Sequence, residues 1–127
     1  MNIFVVEDSS LLRRLVVRRL EEMPGMHVIG EAGGEDSAFS LIRGTQPDVV
    51  LTDLSLVRGS GLGLVQRLRT DGFAGHIAVL TAQNLDPVRR ACMDAGASAF
   101  HDKAGGLETL FDELAALHSP AAATMAS

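Results

Sequence analysis

At 127 residues and a formal net charge of -5, the chain has room for one domain and for no second core of ordinary size. The acidic balance argues against a general nucleic-acid-binding surface, which needs a basic face. Hydrophobic residues at 46% and charged residues at 21% describe an ordinary globular chain, and the lone Cys92 excludes an intramolecular disulfide and a cysteine metal cluster. No stretch approaches the ~18 apolar residues of a membrane span. The start, Met1 to Asp8, has no basic leader and soon meets acid, so no signal peptide is expected and the cytoplasm is the expected compartment.

Ile3 to Val6 is a short β-branched run that ends abruptly in Glu7-Asp8. Ser9 or Ser10 can then cap a helix over Leu11 to Glu22, with Leu12, Leu15, Val16 and Leu20 at helical spacing. Arg13, Arg14, Arg18 and Arg19 fill the gaps. Nearby Glu7, Asp8, Glu21 and Glu22 offset them, so the cluster reads as a solvated helix face. Leu11 and Val17 lie at the margins of the stripe, and Pro24-Gly25 stops the helix. A second strand, His27 to Glu31, and a turn at Gly33-Gly34 lead to a helix over Glu35 to Arg43, with Gly44 as the expected C-cap.

The third strand is the organising one. Val49-Val50-Leu51 enters through Gln46-Pro47-Asp48 and ends in Thr52-Asp53. Such a continuous apolar run reads as a fully buried strand, and a carboxylate at its end needs a partner. Gly59-Ser60-Gly61 then opens a helix over Leu62 to Thr70. His76 to Thr81 is a fourth buried strand, and Asp86-Pro87 starts a helix running to Gly96. Ser98 to His101 is a weaker fifth strand, followed by Asp102-Lys103, and Leu107 to Leu117 is the last helix. The Ala-rich stretch Ser119 to Ser127 is expected to be a disordered tail or the start of a linker.

Alternation of five strands with five helices predicts an α/β fold, a doubly wound parallel sheet with helices on both faces. Ligands of such sheets bind outside the carboxyl ends of the strands. There the sequence places Glu7 and Asp8, Asp53, Thr81 and Lys103. Three neighbouring carboxylates repel one another, and a divalent cation resolves that repulsion. All-oxygen ligands suit Mg²⁺; zinc prefers His or Cys, and no pair of the four His has ligand spacing. Asp53, on the central strand, is the candidate nucleophile, because carboxylates form aspartyl-phosphate intermediates. Thr81 can donate to a phosphoryl oxygen, and Lys103 can neutralise another.

With these residues the chain resembles the receiver domain of two-component response regulators, over roughly residues 2 to 118. The match rests on Val5-Val6-Glu7-Asp8, on Thr52-Asp53 with Gly61 eight residues later, on Leu80-Thr81-Ala82 and on Asp102-Lys103. The resemblance implies a flavodoxin-like five-stranded sheet of order 2-1-3-4-5, with residues 1–118 as the receiver and 119–127 as the tail. It implies that Asp53 accepts a phosphoryl group from a histidine kinase or histidine phosphotransfer protein. Mg²⁺, for which Mn²⁺ can substitute, would sit on Asp8, Asp53 and the Ser55 backbone carbonyl, with Glu7 acting through water. Thr81 and Phe100 would form the switch, with Phe100 packing inward. The donor would dock on the first helix near Ser9, Leu11 and Leu12. Output would run through the fourth helix, fifth strand and fifth helix to a downstream protein, or to a second copy on phosphorylation. The domain itself would be no enzyme beyond its self-catalysed phosphorylation and dephosphorylation, and would touch neither nucleic acid nor membrane. Ser55 and Gln83 occupy positions that tune phosphoryl lifetime in this family.

Three residues depart from the family pattern. Val57 stands where Pro is frequent, and Phe100 where Tyr is also common. Ala104 stands where a cis Pro usually follows the Lys; a cis bond before Ala costs ~3–4 kcal/mol, so trans is expected. Haloacid-dehalogenase-like phosphatases also use an Asp nucleophile with Mg²⁺, but they need a second acid where this chain has Ser55. Gly59-x-Gly61-x-Gly63 follows the wrong strand for a dinucleotide loop and lacks its full spacing. A phosphorylation-independent docking module is disfavoured because every required side chain is present. A stand-alone receiver is the expectation, with the receiver part of a longer DNA-binding regulator as the alternative.

Overall fold

A computed structural model describes residues 1–82, 85–105 and 107–118. Within them the order is β1 (Asn2–Val6), α1 (Ser10–Glu21), β2 (His27–Ala32), α2 (Glu35–Thr45), β3 (Val49–Asp53), α3 (Gly61–Thr70), β4 (His76–Thr81), α4 (Asp86–Ala95), β5 (Ala99–Asp102) and α5 (Leu107–His118). The strands form one sheet in the order β2-β1-β3-β4-β5, and every pairing is parallel, as the strand–helix alternation predicts. Residues 119–127 and Gln83 lie outside the described residues, so the expected tail is not described. Among the described residues no helix is long and apolar enough to cross a membrane.

Alternation along each strand feeds two cores. Ile3, Val5, Val49, Leu51, Ala78 and Leu80 face α1 and α5, meeting Val16, Leu20, Leu110 and Leu114. Phe4, Val6, Val50, Ile77 and Val79 face α2, α3 and α4, meeting Ile42, Leu64, Leu68 and Cys92. Burial of each large aliphatic side chain contributes about 1.5–3 kcal/mol, so this sandwich anchors the strand ends that carry the polar residues. β3 lies between β1 and β4, and all five of its residues are buried.

Local deviations have local causes. α1 buries Val16 and Leu20 and packs Leu12 and Val17 at their margin. Leu15, expected inward, is half exposed, because it lies one turn after Leu11 on the outer flank, and Leu11 itself is 71% exposed. Leu41 is likewise exposed on α2. That helix runs past Gly44 to Thr45, and Gln46 ends it in the left-handed region at φ 48°, ahead of Pro47. Ser9 and Ser60 cap α1 and α3 by accepting from Leu12 N–H (3.3 Å) and Gly63 N–H (2.9 Å).

Candidate phosphoacceptor site

The parallel register aligns the carboxyl ends of the strands. Val6 pairs with Thr52, Asp53 with Leu80 and Thr81 with Asp102. Glu7, Asp8, Asp53, Thr81 and Lys103 therefore emerge along one edge, as the sequence predicts. Glu7, Asp53 and Thr81 are buried, with Asp53 only 7% exposed. Buried carboxylates need partners, and Lys103 supplies one. Its Nζ donates to Asp53 Oδ2 and to Glu7 Oε1, both at 2.9 Å. Burial pushes the Lys103 amine toward its neutral form, but the hydrogen bonds to Asp53 and Glu7 prevail and raise its pKa.

Glu7, Asp8 and Asp53 each offer a carboxylate oxygen, and these oxygens lie within 4.8 Å of one another. Burial is the main force that raises the Glu7 pKa; Lys103 opposes it, and a hydrogen bond with Asp8 and the Asp53 charge reinforce it. The same hydrogen bond from Glu7 is the main force that lowers Asp8, with Val57 and Ser9 N–H groups helping. Three carboxylates that offer only oxygen ligands are the donor type a hard divalent cation takes, so the residues present fit Mg²⁺.

The β3–α3 loop closes the site. Gly61 N–H donates to Leu54 O at 2.8 Å, and a Cβ at Gly61 would lie 2.2 Å from the Asp53 carbonyl oxygen. Only glycine lets the start of α3 approach the Asp53 backbone this closely. Ser55 bridges antiparallel to Ser60. Val57 N–H donates to Asp8 Oδ2 at 2.9 Å, while the Val57 residue is 83% exposed. On the other side, the Lys103–Ala104 bond is trans, as expected. Lys103 N–H donates to Thr81 O and Ala104 N–H to Asp102 Oδ1, each at 2.8 Å.

Among the remaining candidates, Phe100 is buried and packs inward with the α2–α4 core. Ser9 is used as a helix cap, Leu11 points outward, and Leu12 packs against the α1–α5 core. Two contacts escape the sequence. Glu35 receives N–H bonds from Ser60 and Arg67, across the α2–α3 boundary. His101 Nε2 lies 2.5 Å from Glu113 Oε2, and His76 Nε2 lies 2.7 Å from Oε1 but makes no hydrogen bond there. The glycines at 59 and 63 were the available signal for the first contact; linear spacing carries none for the second.

A buried aspartate at the end of the central parallel strand, with a second strand-end acid pair, a threonine and a lysine around it, defines a receiver. The chain belongs to the response regulator receiver domain family, which residues 3–115 match. It is 36% identical over 114 residues to the nitrate/nitrite response regulator protein NarP of Escherichia coli K12, covering 90% of this chain and 53% of that one. It is 32% identical over 108 residues to the response regulator GacA of Pseudomonas aeruginosa, covering 85% of this chain and 50% of that one. The chain thus spans about half the length of these relatives. Among solved structures it superposes on a LuxR-family two-component response regulator from Aurantimonas with TM-score 0.86 and 28% identity, over 97% of this chain and 92% of that one. It also superposes on Salmonella RcsB bound to a promoter in the presence of a phosphomimetic, with TM-score 0.81 and 25% identity, over 92% of this chain and 59% of that one.

Proposed function

We propose that the chain is a phosphoacceptor: Asp53 takes a phosphoryl group from a phosphohistidine donor in a Mg²⁺-dependent reaction. The observation that carries this reading is the Asp53 carboxylate, buried and held by the Lys103 amine, with the Glu7 and Asp8 carboxylates within metal-ligand reach. A carboxylate oxygen of Asp53 attacks phosphorus, the P–N bond breaks, and its electron pair returns to the donor imidazole. Lys103 offsets charge on the phosphoryl oxygens, and Thr81 donates to one of them. A cation held by Asp8, Asp53 and the Ser55 carbonyl, with Glu7 through water, would neutralise the remaining phosphoryl charge. Reversal to phosphate and free carboxylate needs only water at phosphorus.

The donor docks on α1, with Leu11 and Leu15 as the outward apolar contacts. Leu12 supports them from within, and Ser9 fixes the helix start. Thr81 and Phe100 carry the state of Asp53 to the face formed by α4, β5 and α5, where a downstream protein or a second copy binds. Incubation with acetyl phosphate and Mg²⁺ followed by intact-mass measurement tests the reading. One added phosphoryl group is expected on the wild type and none on Asp53→Asn; equal gain on both would end it.

A second reading has its own support: a receiver within a longer DNA-binding regulator. The curated relatives are matched over only about half their length, and the RcsB neighbour is bound to promoter DNA. Sequencing the coding region beyond codon 127 and looking for a helix-turn-helix pattern decides between them.

A further inference from the structure

The β3–α3 loop is gripped from two sides. Asp8 takes the Val57 N–H on one side. On the other stands Glu35, the first residue of α2. Its backbone N–H donates to Arg58 O at 3.0 Å, and its Oε1 accepts from Ser60 N–H at 3.0 Å. Its Oε2 accepts from Arg67 on α3 at 3.1 Å. Arg67 is itself fixed, stacked over Phe39 of α2 at 4.3 Å and bonded to Asp36 at 2.6 Å. The Glu35 carboxylate is thus held at both oxygens, and its side chain is only 18% exposed.

The loop is shaped to receive it. Gly59 takes φ +85°, and a Cβ there would lie 2.4 Å from Glu35 Cβ. A Cβ on Gly63 would lie 2.3 Å from Glu35 Oε1. Two glycines thus form a socket for one glutamate, which accounts for the glycine run that fits no nucleotide-binding pattern.

We propose that Glu35 is a positioning residue for the metal-binding loop: its carboxylate, anchored by Arg67, holds the Ser60 N–H and so sets where the loop presents the Ser55 carbonyl to the cation. This rests on the phosphoacceptor reading for the identity of the ligand site, but the grip on the loop does not. Residue 57 is Val rather than a ring-constrained Pro, so the loop takes its rigidity from hydrogen bonds instead. A looser loop lowers cation affinity while leaving Asp53, Thr81 and Lys103 intact at saturation.

The test uses the full chain with Glu35→Ala, Glu35→Gln and Gly63→Ala. Gly63→Ala leaves Glu35 in the sequence and fills its socket, and the helix propensity it gains offsets part of the cost of displacing the carboxylate. Amide exchange of residues 54–61 is first followed by mass spectrometry in metal-free protein. Faster exchange is expected there in Glu35→Ala and Gly63→Ala, and unchanged exchange overturns the grip. Mg²⁺ titration by calorimetry, and the Mg²⁺ dependence of acetyl phosphate labelling, form the second arm. The half-saturating Mg²⁺ concentration is expected to rise at least fivefold in both variants, with the saturated labelling rate within twofold of wild type. Glu35→Gln, which keeps the Ser60 bond, is expected to fall between. An unchanged half-saturation point overturns the positioning role. A wild type that binds Mg²⁺ but takes no phosphoryl group sinks the phosphoacceptor reading alone, because exchange and calorimetry still report on Glu35.

Discussion

Replacing Lys103 with Met isolates what its amine does for the fold. The side chain keeps its length and apolar stem but leaves Glu7 and Asp53, both buried, without the ammonium that each contacts at 2.9 Å. At an effective dielectric of about 20, each contact is worth a gross ~6 kcal/mol. Most of that is offset by desolvation of the amine, and removing one partner of a buried pair typically costs about 3–5 kcal/mol net. The Lys103 side chain is 22% exposed, so water can reach the vacated place. That reduces the expected loss to about 2–3 kcal/mol. At an unfolding entropy of about 2.1 cal/mol/K per residue, the melting temperature falls by about 8–11 °C. Circular dichroism melts at neutral pH without divalent ions measure it. Two controls separate electrostatics from packing. The deficit is expected to shrink on acidification, as the stranded carboxylates take up a proton, and to shrink with Mg²⁺, which restores the counter-charge. A Lys103→Met protein as stable as wild type in metal-free neutral buffer would show that the amine does not compensate the carboxylates. A deficit that neither acid nor Mg²⁺ reduces would assign the loss to packing.

Gly61→Ala places a methyl group 2.2 Å from the Asp53 carbonyl oxygen, a backbone atom with no rotamer to change. Overpacking of this kind costs about 1–3 kcal/mol, and slower labelling by acetyl phosphate is expected to accompany the lower melting temperature. Leu11→Asp with Leu15→Asp alters exposed positions, so stability is expected to stay within about 0.5 kcal/mol. Transfer from the cognate phosphohistidine donor is then expected to slow at least tenfold while acetyl phosphate labelling is unchanged; stopped-flow or gel-based transfer assays read the first, and equal transfer rates would remove α1 from the docking face. For pH, Glu7 is raised, so its contribution to metal-free stability is complete below the ordinary Glu range and fades as pH rises through its own higher value. Asp8 is lowered, so its contribution is present above the ordinary Asp range and is lost as pH falls through its own lower value. Mg²⁺ requires both ionised, so its affinity is expected to climb with pH just above the ordinary carboxylate range, with proton release on binding. Calorimetry in two buffers of different ionisation heat detects that release, and its absence in that window would mean Glu7 carries no proton.

The strand-end residues were legible because parallel sheets put functional groups in one predictable place. Once β1, β3 and β4 are recognised as buried runs and β5 as the weaker strand after them, Asp8, Asp53, Thr81 and Lys103 follow from where each strand stops. The outward turn of Leu15 was not legible. Periodicity locates an apolar stripe within about one residue, and the packing of Leu12, Val16 and Leu20 against the sheet decides which flank is covered. Glu35 was hidden for a different reason. Its partners Ser60 and Arg67 are 25 and 32 residues away, and a glutamate in the first turn of a helix looks like ordinary charge complementarity to the helix dipole. The convergence of His76 and His101 on Glu113 likewise exists only once β4, β5 and α5 are packed.

Two positions where the family often carries proline share one solution here. A proline restrains its loop by limiting the unfolded chain and provides no N–H. Val57 and Ala104 provide no such restraint, but each has an N–H, and each N–H is bound to a carboxylate, Asp8 Oδ2 at 2.9 Å and Asp102 Oδ1 at 2.8 Å. The Ala104 bond shapes the turn after Lys103 while Lys103 N–H continues to Thr81 O, so the amine reaches Asp53 across a trans peptide. The two restraints differ in one respect. Asp102 lies outside the three-carboxylate cluster, whereas Asp8 belongs to it. A ring at residue 57 would hold the loop whatever the state of Asp8. The Val57 bond instead ties the loop to one of the three clustered carboxylates, so its strength depends on the charge that Asp8 carries.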